Sequence, residues 1–487
     1  MNKNFEALAP QLVWKHFVEI MKCPRPSYHE EIIRQYVIDF AKAQNLEHTV
    51  DEANNVYIFK PATPGMESRK GIIMQAHLDM VPQKNNDKEF DFEKDAIEGY
   101  IDGEWVTANG TTLGADNGIG VAATLAILED NNLAHGDIEA LFTATEETGM
   151  DGANGLKGGL LKGDILLNLD SEEEGELYVG CAGGIDINAV FECECVPSPD
   201  SDYKAFRIDV KGLKGGHSGI QIICQRANAN KVLFRFLRSS SVDVDMLLCS
   251  VDGGGLRNAI PREAQAVVLV HEDDVAIFNK AIAQYEAEIH NEYAGVEDSI
   301  SITATEVEVP EQMIDEDAAA CIVWSIVGCP DGVIKMSNSM PGLVQTSTNL
   351  ARVVSNDNSV TVQCLLRSSI RTEKEALADQ IASVFELADA DVESTGAYDG
   401  WNPNMESPIL KTMKDSYKAL YGKEPKVTAI HAGLECGIIS TNYPNLDMIS
   451  FGPTIMYPHS PDEKVEIASV GKFYDFLKHT IINAPEK

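Results

Sequence analysis

Short apolar runs that end in acidic residues or histidine recur along this chain, and that pattern limits its fold more than any other feature. GIIMQA (71–76) runs into His77 and Asp79, IEALFTATEE (138–147) closes on Glu146 and Glu147, and DILLNLD (164–170) closes on Asp170. Between the first two, TTLGADNGIG leads into VAATLAILED, a helix predicted to begin near Asn117. Upstream, residues 5–22 and 29–44 have helical periodicity on either side of a Cys-Pro-Arg-Pro break, and NNVYIFK (54–60) reads as a strand. Strands alternating with helices predict an α/β fold with a mostly parallel sheet flanked by helices. In such sheets ligands collect outside the carboxyl ends of the strands, which is where these polar residues fall.

At 487 residues the chain exceeds one ordinary core. Its character shifts near residue 187, where INAVFECECV, AFRIDVKGL, AQAVVLVHEDD and SVTVQCLLRSS read as strands and KAIAQYEAEIHNEY and EALADQIASVFELA as helices, without strict alternation. AYDGWNPN marks a second break near 400. The expected organisation is a first domain in two parts, 1–186 and 399–487, interrupted by an inserted α+β domain over 187–398.

The formal charge of −37 disfavours nucleic acid and anionic membrane surfaces as partners. The N-terminal stretch lacks an apolar signal-peptide core, and no run approaches the ~18 apolar residues of a membrane span. Ten cysteines are scattered, with one CxC at Cys193 and Cys195 and no CxxC. They are expected to be reduced thiols in a cytoplasmic protein.

Carboxylates gathered at neighbouring strand ends repel one another unless a cation joins them. Histidine nitrogen with carboxylate oxygen suits zinc, and manganese or cobalt also fits. In a strand, residues i and i+2 point the same way, so Asp79 can stand behind His77 and orient its imidazole. Glu146 and Glu147 are adjacent and in extended chain point apart, so one can bind metal while the other faces a bound water. His77, Asp116, Glu147, Asp170 and the later His459 exceed the three protein ligands of one open catalytic zinc. They suit two ions about 3.5–4 Å apart with one carboxylate between them. Taken singly, each residue has an ordinary explanation. Asp116 could cap the helix that follows, Glu146-Glu147 could be a solvated loop, and His459 could be a surface histidine. Their joint occurrence is what points to a metal centre.

AHLDMVPQ, TTLGADNGIGVA, TATEETGMDGA, NLDSEEEGELYVGCAGG, HAGLECG and SFGPTIMYPHSPDE together resemble the aminoacyl-histidine dipeptidases, a branch of the co-catalytic di-zinc peptidases that includes the carnosinases. The resemblance spans nearly the whole chain. It implies a zinc-peptidase-like fold whose inserted domain serves as lid and dimerisation domain, and two divalent ions, most simply Zn2+, with Co2+ or Mn2+ as alternatives. The implied ligands are His77, Asp116, Glu147, Asp170 and His459, with Asp116 bridging, Asp79 supporting His77, and Glu146 as general base. The implied substrates are small peptides, Xaa-His and other dipeptides with free termini. His217 in GLKGGHSG, Asn258 in GGGLRNAIPRE and Arg367 in CLLRSS match the family's substrate-binding positions, and Arg367 suits a terminal carboxylate. His431 and Glu435 are four apart, a spacing that lets them face one way on a helical turn, and are placed near the substrate, with capping as the alternative role. The neighbouring readings are a related amidohydrolase or tripeptidase and, from another class, a non-catalytic metal-binding relative. Such relatives lose the base or a ligand, and here every position is intact.

Overall fold

The computed structural model describes residues 3–199 and 201–487, which form two compact units. The first comprises the described residues of 3–181, 401–429 and 434–487, and the second those of 182–199 and 201–400 with the short segment 430–433.

The first unit is built on an eight-stranded sheet. Its strands run in the order Glu47–Val50, Val56–Lys60, Ile138–Thr143, Ile72–His77, Ile165–Asn168, Asp447–Ser450, Glu176–Cys181 and Lys426–Ile430. The parallel part is central: Ile72–His77 lies between Ile138–Thr143 and Ile165–Asn168, and Ile165–Asn168 pairs in parallel with Asp447–Ser450. Antiparallel pairs flank it at Val56–Lys60 and Glu176–Cys181. Every residue from Ile72 to His77 is buried, as expected of a strand covered on both faces. The helix Ala115–Glu129 is likewise apolar all round, with buried residues from Ile119 to Leu128, so it lies inside the unit and not on its surface. Helix 5–22 does not form as one piece. A 3-10 turn covers Phe5–Ala7 and the helix proper is Gln11–Ile20, because Pro10 has no amide hydrogen to carry a helix through it.

The second unit is a nine-stranded antiparallel sheet, ordered Ser301–Val307, Tyr203–Lys211, Ala264–His271, Met246–Gly254, Val344–Asn356, Ser359–Ser368, Gly183–Glu192 and Asp391–Tyr398, with Gly332–Met336 added beside Val344–Asn356. The helices Ala229–Ser240, Val275–Glu292, Glu316–Gly328 and Arg371–Glu386 share its core, where Phe206, Phe236, Phe278, Ile322, Val362 and Phe385 are buried together. No helix among the described residues is long and apolar enough to cross a membrane.

Candidate metal centre

The three parallel strands deliver their polar ends to one place in the first unit. His77 is the last residue of its strand. Glu146 and Glu147 follow Ile138–Thr143, and Asp170 follows Ile165–Asn168. Asp116 sits where the helix after Gly114 begins, with non-helical φ/ψ. It does not cap that helix through its side chain; its carboxylate points at two histidines. One oxygen lies 3.0 Å from His77 Nε2 and the other 3.2 Å from His459 Nε2. Asp170 Oδ1 is 3.3 Å from the same His77 nitrogen, and Glu147 Oε2 is 3.0 Å from the same His459 nitrogen. Three overlapping donor groups result among the described residues, His77–Asp116–Asp170, His77–Glu146–Glu147 and Asp116–Glu147–His459, each with donor atoms within 4.8 Å of one another, and Asp116 is common to the first and the third.

Asp79 does more than the i+2 spacing foretells. Its Oδ1 lies 3.3 Å from His77 Nδ1. The same carboxylate also accepts the peptide N–H groups of Glu146 (2.9 Å) and Glu147 (3.1 Å) and the Ser27 hydroxyl (2.8 Å). Glu146 and Glu147 are not in extended chain, as the sequence reading assumes. They lie in a turn after Thr145, whose φ is +52°, and that turn, anchored on Asp79, sets their directions. Thr145 is held in turn by Glu30, which accepts its N–H at 2.9 Å and its hydroxyl at 2.7 Å.

The electrostatics are those of imidazoles and carboxylates packed closely together. Burial alone would lower the His77 imidazole, yet Asp170, Asp116 and Asp79 hold it well above its ordinary value. Hydrogen bonds to Asp116 and Glu147 raise His459 to about 11. Burial pushes Glu147 and Asp170 up, and Glu146 well up, with neighbouring carboxylates adding to the effect on each. Asp116 goes the other way, because both histidines outweigh its burial. Protonated imidazoles thus neutralise a nest of carboxylates, which is the role of a divalent ion. Glu147 Oε1 is buried with no hydrogen-bond partner. Imidazole and carboxylate donors in overlapping sets of three, with one Glu147 oxygen unused, fit divalent cations such as zinc.

Glu435 is fully buried. Its Oε2 accepts from Gln75 Nε2 at 2.5 Å and Thr143 Oγ1 at 2.9 Å. It opens the helix Glu435–Asn442, whereas His431 precedes that helix and belongs to the second unit. The two therefore do not share a helical face, contrary to the reading from their spacing.

In the second unit, Arg367, His217 and His431 converge around Gly219. A Cβ on Gly219 would lie 2.3 Å from the His431 carbonyl, 3.0 Å from the His217 ring and 3.2 Å from Arg367 Nε, so only glycine permits the approach. Arg367 is buried, donates from Nη1 to the Tyr398 hydroxyl at 3.1 Å, and keeps Nε without a partner. His431 Nε2 lies 2.7 Å from Ser347 Oγ while its Nδ1 is buried and unpartnered. Burial, then the neighbouring Arg367 guanidinium and the His217 ring, push His431 down to about 3, so its ring is neutral. His217 accepts the N–H groups of Gly219 and Ile220 on Nδ1, each at 3.1 Å, which leaves Nε2 as the ring donor. Asn258 is exposed in a turn, and its carbonyl accepts from the Ser218 peptide N–H at 2.8 Å.

Sequence reasoning missed the residues behind the ligands, chiefly Arg25, Ser27, Glu30 and Glu463. The first three belong to the proline-flanked break at 23–26 and its sequel, and Glu463 lies four residues after His459. Nothing in their types marks them.

Residues 73–483 match the sequence model of peptidase family M20/M25/M40. The chain is 46% identical to the cytosol non-specific dipeptidase of Escherichia coli over 482 residues, 99% of each protein. It superposes on the aminoacylhistidine dipeptidase of Vibrio alginolyticus with a TM-score of 0.95 and 45% identity, covering 100% of this chain and 99% of that one. Aminopeptidase PepT of Bacillus cereus shares the fold at a TM-score of 0.59 and 15% identity, covering 98% and 99%.

Proposed function

Because this chain belongs to peptidase family M20/M25/M40, we propose that it is a metal-dependent dipeptidase acting on Xaa-His and other dipeptides with free termini. The observation that carries this reading is Asp116, whose two carboxylate oxygens face histidines of two different donor sets. His77, Asp116 and Asp170 would hold one divalent ion, and Asp116, Glu147 and His459 a second, with zinc the simplest identity. Such a pair supplies an activated water and polarises the scissile carbonyl. This chain's residues do the rest. Glu146 would take a proton from the attacking water on its carboxylate and return it to the departing amine. Asp79 fixes both the His77 ring and the Glu146–Glu147 turn. His217 donates from Nε2 to the negative charge that develops on the carbonyl oxygen. Arg367, His431 and Asn258 receive the C-terminal carboxylate, Arg367 through its unpartnered Nε and His431 as a neutral ring beside it. Glu435, fully buried, supports the strand ends and does not touch substrate. We further assign the second unit as lid and dimerisation domain, and the cytoplasm as the location, in keeping with the name of the Escherichia coli relative.

The test is turnover of a dipeptide panel by metal-loaded protein, with N-acetylated and C-amidated controls, tripeptides and elemental analysis. Expected are about two ions per chain, hydrolysis of free dipeptides, and a sharp loss of kcat/KM on the amides. Equal rates on amide and acid would remove Arg367 from its role, and absence of dipeptide turnover would overturn the reading.

A further inference from the structure

Arg25 is an unusual residue to bury. Its side chain is only 3% exposed, yet it meets no carboxylate within hydrogen-bond range among the described residues. It donates instead to three peptide carbonyls: Leu78 (2.9 Å) and Asp79 (2.6 Å) through Nη1, and Gly114 through Nη2. The first two carbonyls belong to the turn carrying His77 and Asp79, and the third lies two residues before Asp116. Two glycines of the TTLGADNGIG motif make room for it. A Cβ at Gly114 would fall 2.5 Å from Arg25 Nη2 and one at Gly118 2.9 Å from the same nitrogen. The guanidinium shares the space beside these glycines with Met80, whose Sδ would lie 2.9 Å from a Cβ at Gly114, and with Phe17, whose Cε2 would lie 2.9 Å from one at Gly118, and Gly114 also adopts φ +72°.

Glu463 answers it from the other side. It is 2% exposed, and its two oxygens accept four consecutive peptide N–H groups: Leu113 (2.7 Å) and Gly114 (2.9 Å) on Oε2, Ala115 (2.8 Å) and Asp116 (3.2 Å) on Oε1. Glu463 follows His459 by four residues, so it ties the His459 loop to the peptide groups that present Asp116. Burying an ion away from a partner of opposite charge is expensive. Fold stability alone would be served as well by apolar residues at both positions. What apolar residues cannot do is hold three separate loops by directional bonds to their peptide groups.

We propose that Arg25 and Glu463 are positioning residues that fix Asp116 between His77 and His459, and so set the spacing of the two donor sets before any cation arrives. The inference rests on the metallopeptidase reading and extends it to residues that touch neither substrate nor cation. In this arrangement Arg25 locks the Asp116 turn to the His77 turn and Glu463 locks it to His459. Loosening either lock lets the shared carboxylate drift from one histidine, and the donor set on that side loses affinity.

The test is titration of the metal-free full-length protein with Co2+, followed by visible absorption and calorimetry, for wild type, Arg25→Met, Arg25→Lys, Glu463→Gln and Glu463→Asp, with thermal melting of each metal-free form. We expect two resolved binding steps in wild type. In Arg25→Met and Glu463→Gln one step should weaken about 10–100-fold, with an altered cobalt spectrum, while kcat at saturating Co2+ falls more than KM rises. Arg25→Lys, which keeps the charge and some of the bonds, should recover part of the lost affinity. If Arg25→Met does not fold, Arg25→Lys and Glu463→Asp carry the same measurement. Unchanged Co2+ affinities and spectra in folded variants, with only the melting temperature lowered, would overturn the inference and leave a structural role. Failure of wild type to bind Co2+ would instead overturn the metallopeptidase reading itself.

Discussion

Replacing Asp79 by asparagine is the sharpest probe of how the centre is held, because it changes one atom and no volume. In the native arrangement the carboxylate accepts the Glu146 and Glu147 amides and the Ser27 hydroxyl, and stands behind His77. Burial would push its pKa up, but His77 and the Glu146 amide hold it below the usual value, so it is an anion at working pH. An asparagine can keep its carbonyl on the Glu146 N–H, but its NH2 then faces the Glu147 N–H. A hydrogen bond to a charged acceptor contributes about 1.5–3 kcal/mol, and stranding a buried donor costs about 1–3 kcal/mol. Taking these as one loss of about 3 kcal/mol and using 1.36 kcal/mol per tenfold gives a ceiling of roughly 150-fold. We expect kcat/KM of the metal-saturated Asp79→Asn enzyme to fall by about 10–150-fold, with metal content retained. Ser27→Ala is the control. It removes one bond to the same carboxylate and leaves both peptide contacts, so the loss should stay under about threefold. An Asp79→Asn enzyme no slower than Ser27→Ala would show that the anchoring of the Glu146–Glu147 turn is immaterial.

Glu146→Gln should keep its metal, since the residue stands outside both donor sets proposed for the ions, and lose about 10²–10⁴-fold in kcat; near-normal turnover with full metal content would remove it as base. If His459 ligates metal as proposed, the proton that Asp116 and Glu147 hold on it, raised to about 11, must leave on binding. Metal affinity measured by competition with a chelator should therefore weaken as pH falls from 8 to 6, with proton release seen in calorimetry, and a pH-independent affinity would contradict it. In the metal-free protein the same raised value favours the folded state fully below about 6.5, and that contribution is lost as pH rises toward 11. His431 has the opposite sign. Its folded value of about 3 lies below the ordinary 6.5, so the folded state is favoured above about 6.5 and loses that support between 6.5 and 3, by up to about 2 kcal/mol at pH 5. Wild type should thus lose more stability than His431→Gln between pH 7 and 5, and an imidazole NMR signal that titrates near 6 would refute the assignment.

The sequence carried the strand-end residues well because strand periodicity is strict. His77 and Asp79 must share a side of the chain, and Asp170 must emerge where its apolar run stops. It carried the conformation of Glu146 and Glu147 poorly. That pair lies beyond its strand, and the φ of +52° at Thr145 follows from Glu30, more than a hundred residues away in sequence. Asp116 was open between helix cap and ligand, because both need a carboxylate at the start of a helix. The side chain makes no cap bond, and the two histidines it faces favour the second role. The pairing of His431 with Glu435 failed for a simpler reason: four-residue spacing has meaning within a helix, and this helix starts at Glu435. The two-unit division was visible as a change from alternating to non-alternating elements, but the return of 430–433 to the second unit leaves no mark in composition.

Arg25, Glu30 and Glu463, three of the residues that sequence reasoning missed, share one property with Asp79, which it found. Arg25 grips the carbonyls of Leu78, Asp79 and Gly114. Glu463 grips the amides of 113–116, Asp79 those of 146 and 147, and Glu30 that of Thr145. Each bonds to the backbone of the loops that carry the candidate ligands. There is a chemical reason for this. A side chain that ligates a cation has its lone pairs committed to it, and a supporting group bonded to those atoms would compete with the cation. Peptide groups do not titrate in this range and offer donors and acceptors at fixed geometry, so a frame built on them leaves ligand basicity untouched. Such a frame can be assembled from any charged or hydroxyl residue that reaches the right peptide, which is why neither residue type nor spacing reveals it. The glycines are the exception. Gly114 and Gly118 leave room for the guanidinium together with Met80 and Phe17, so a glycine beside a candidate ligand can mark a supporting residue that its own type does not.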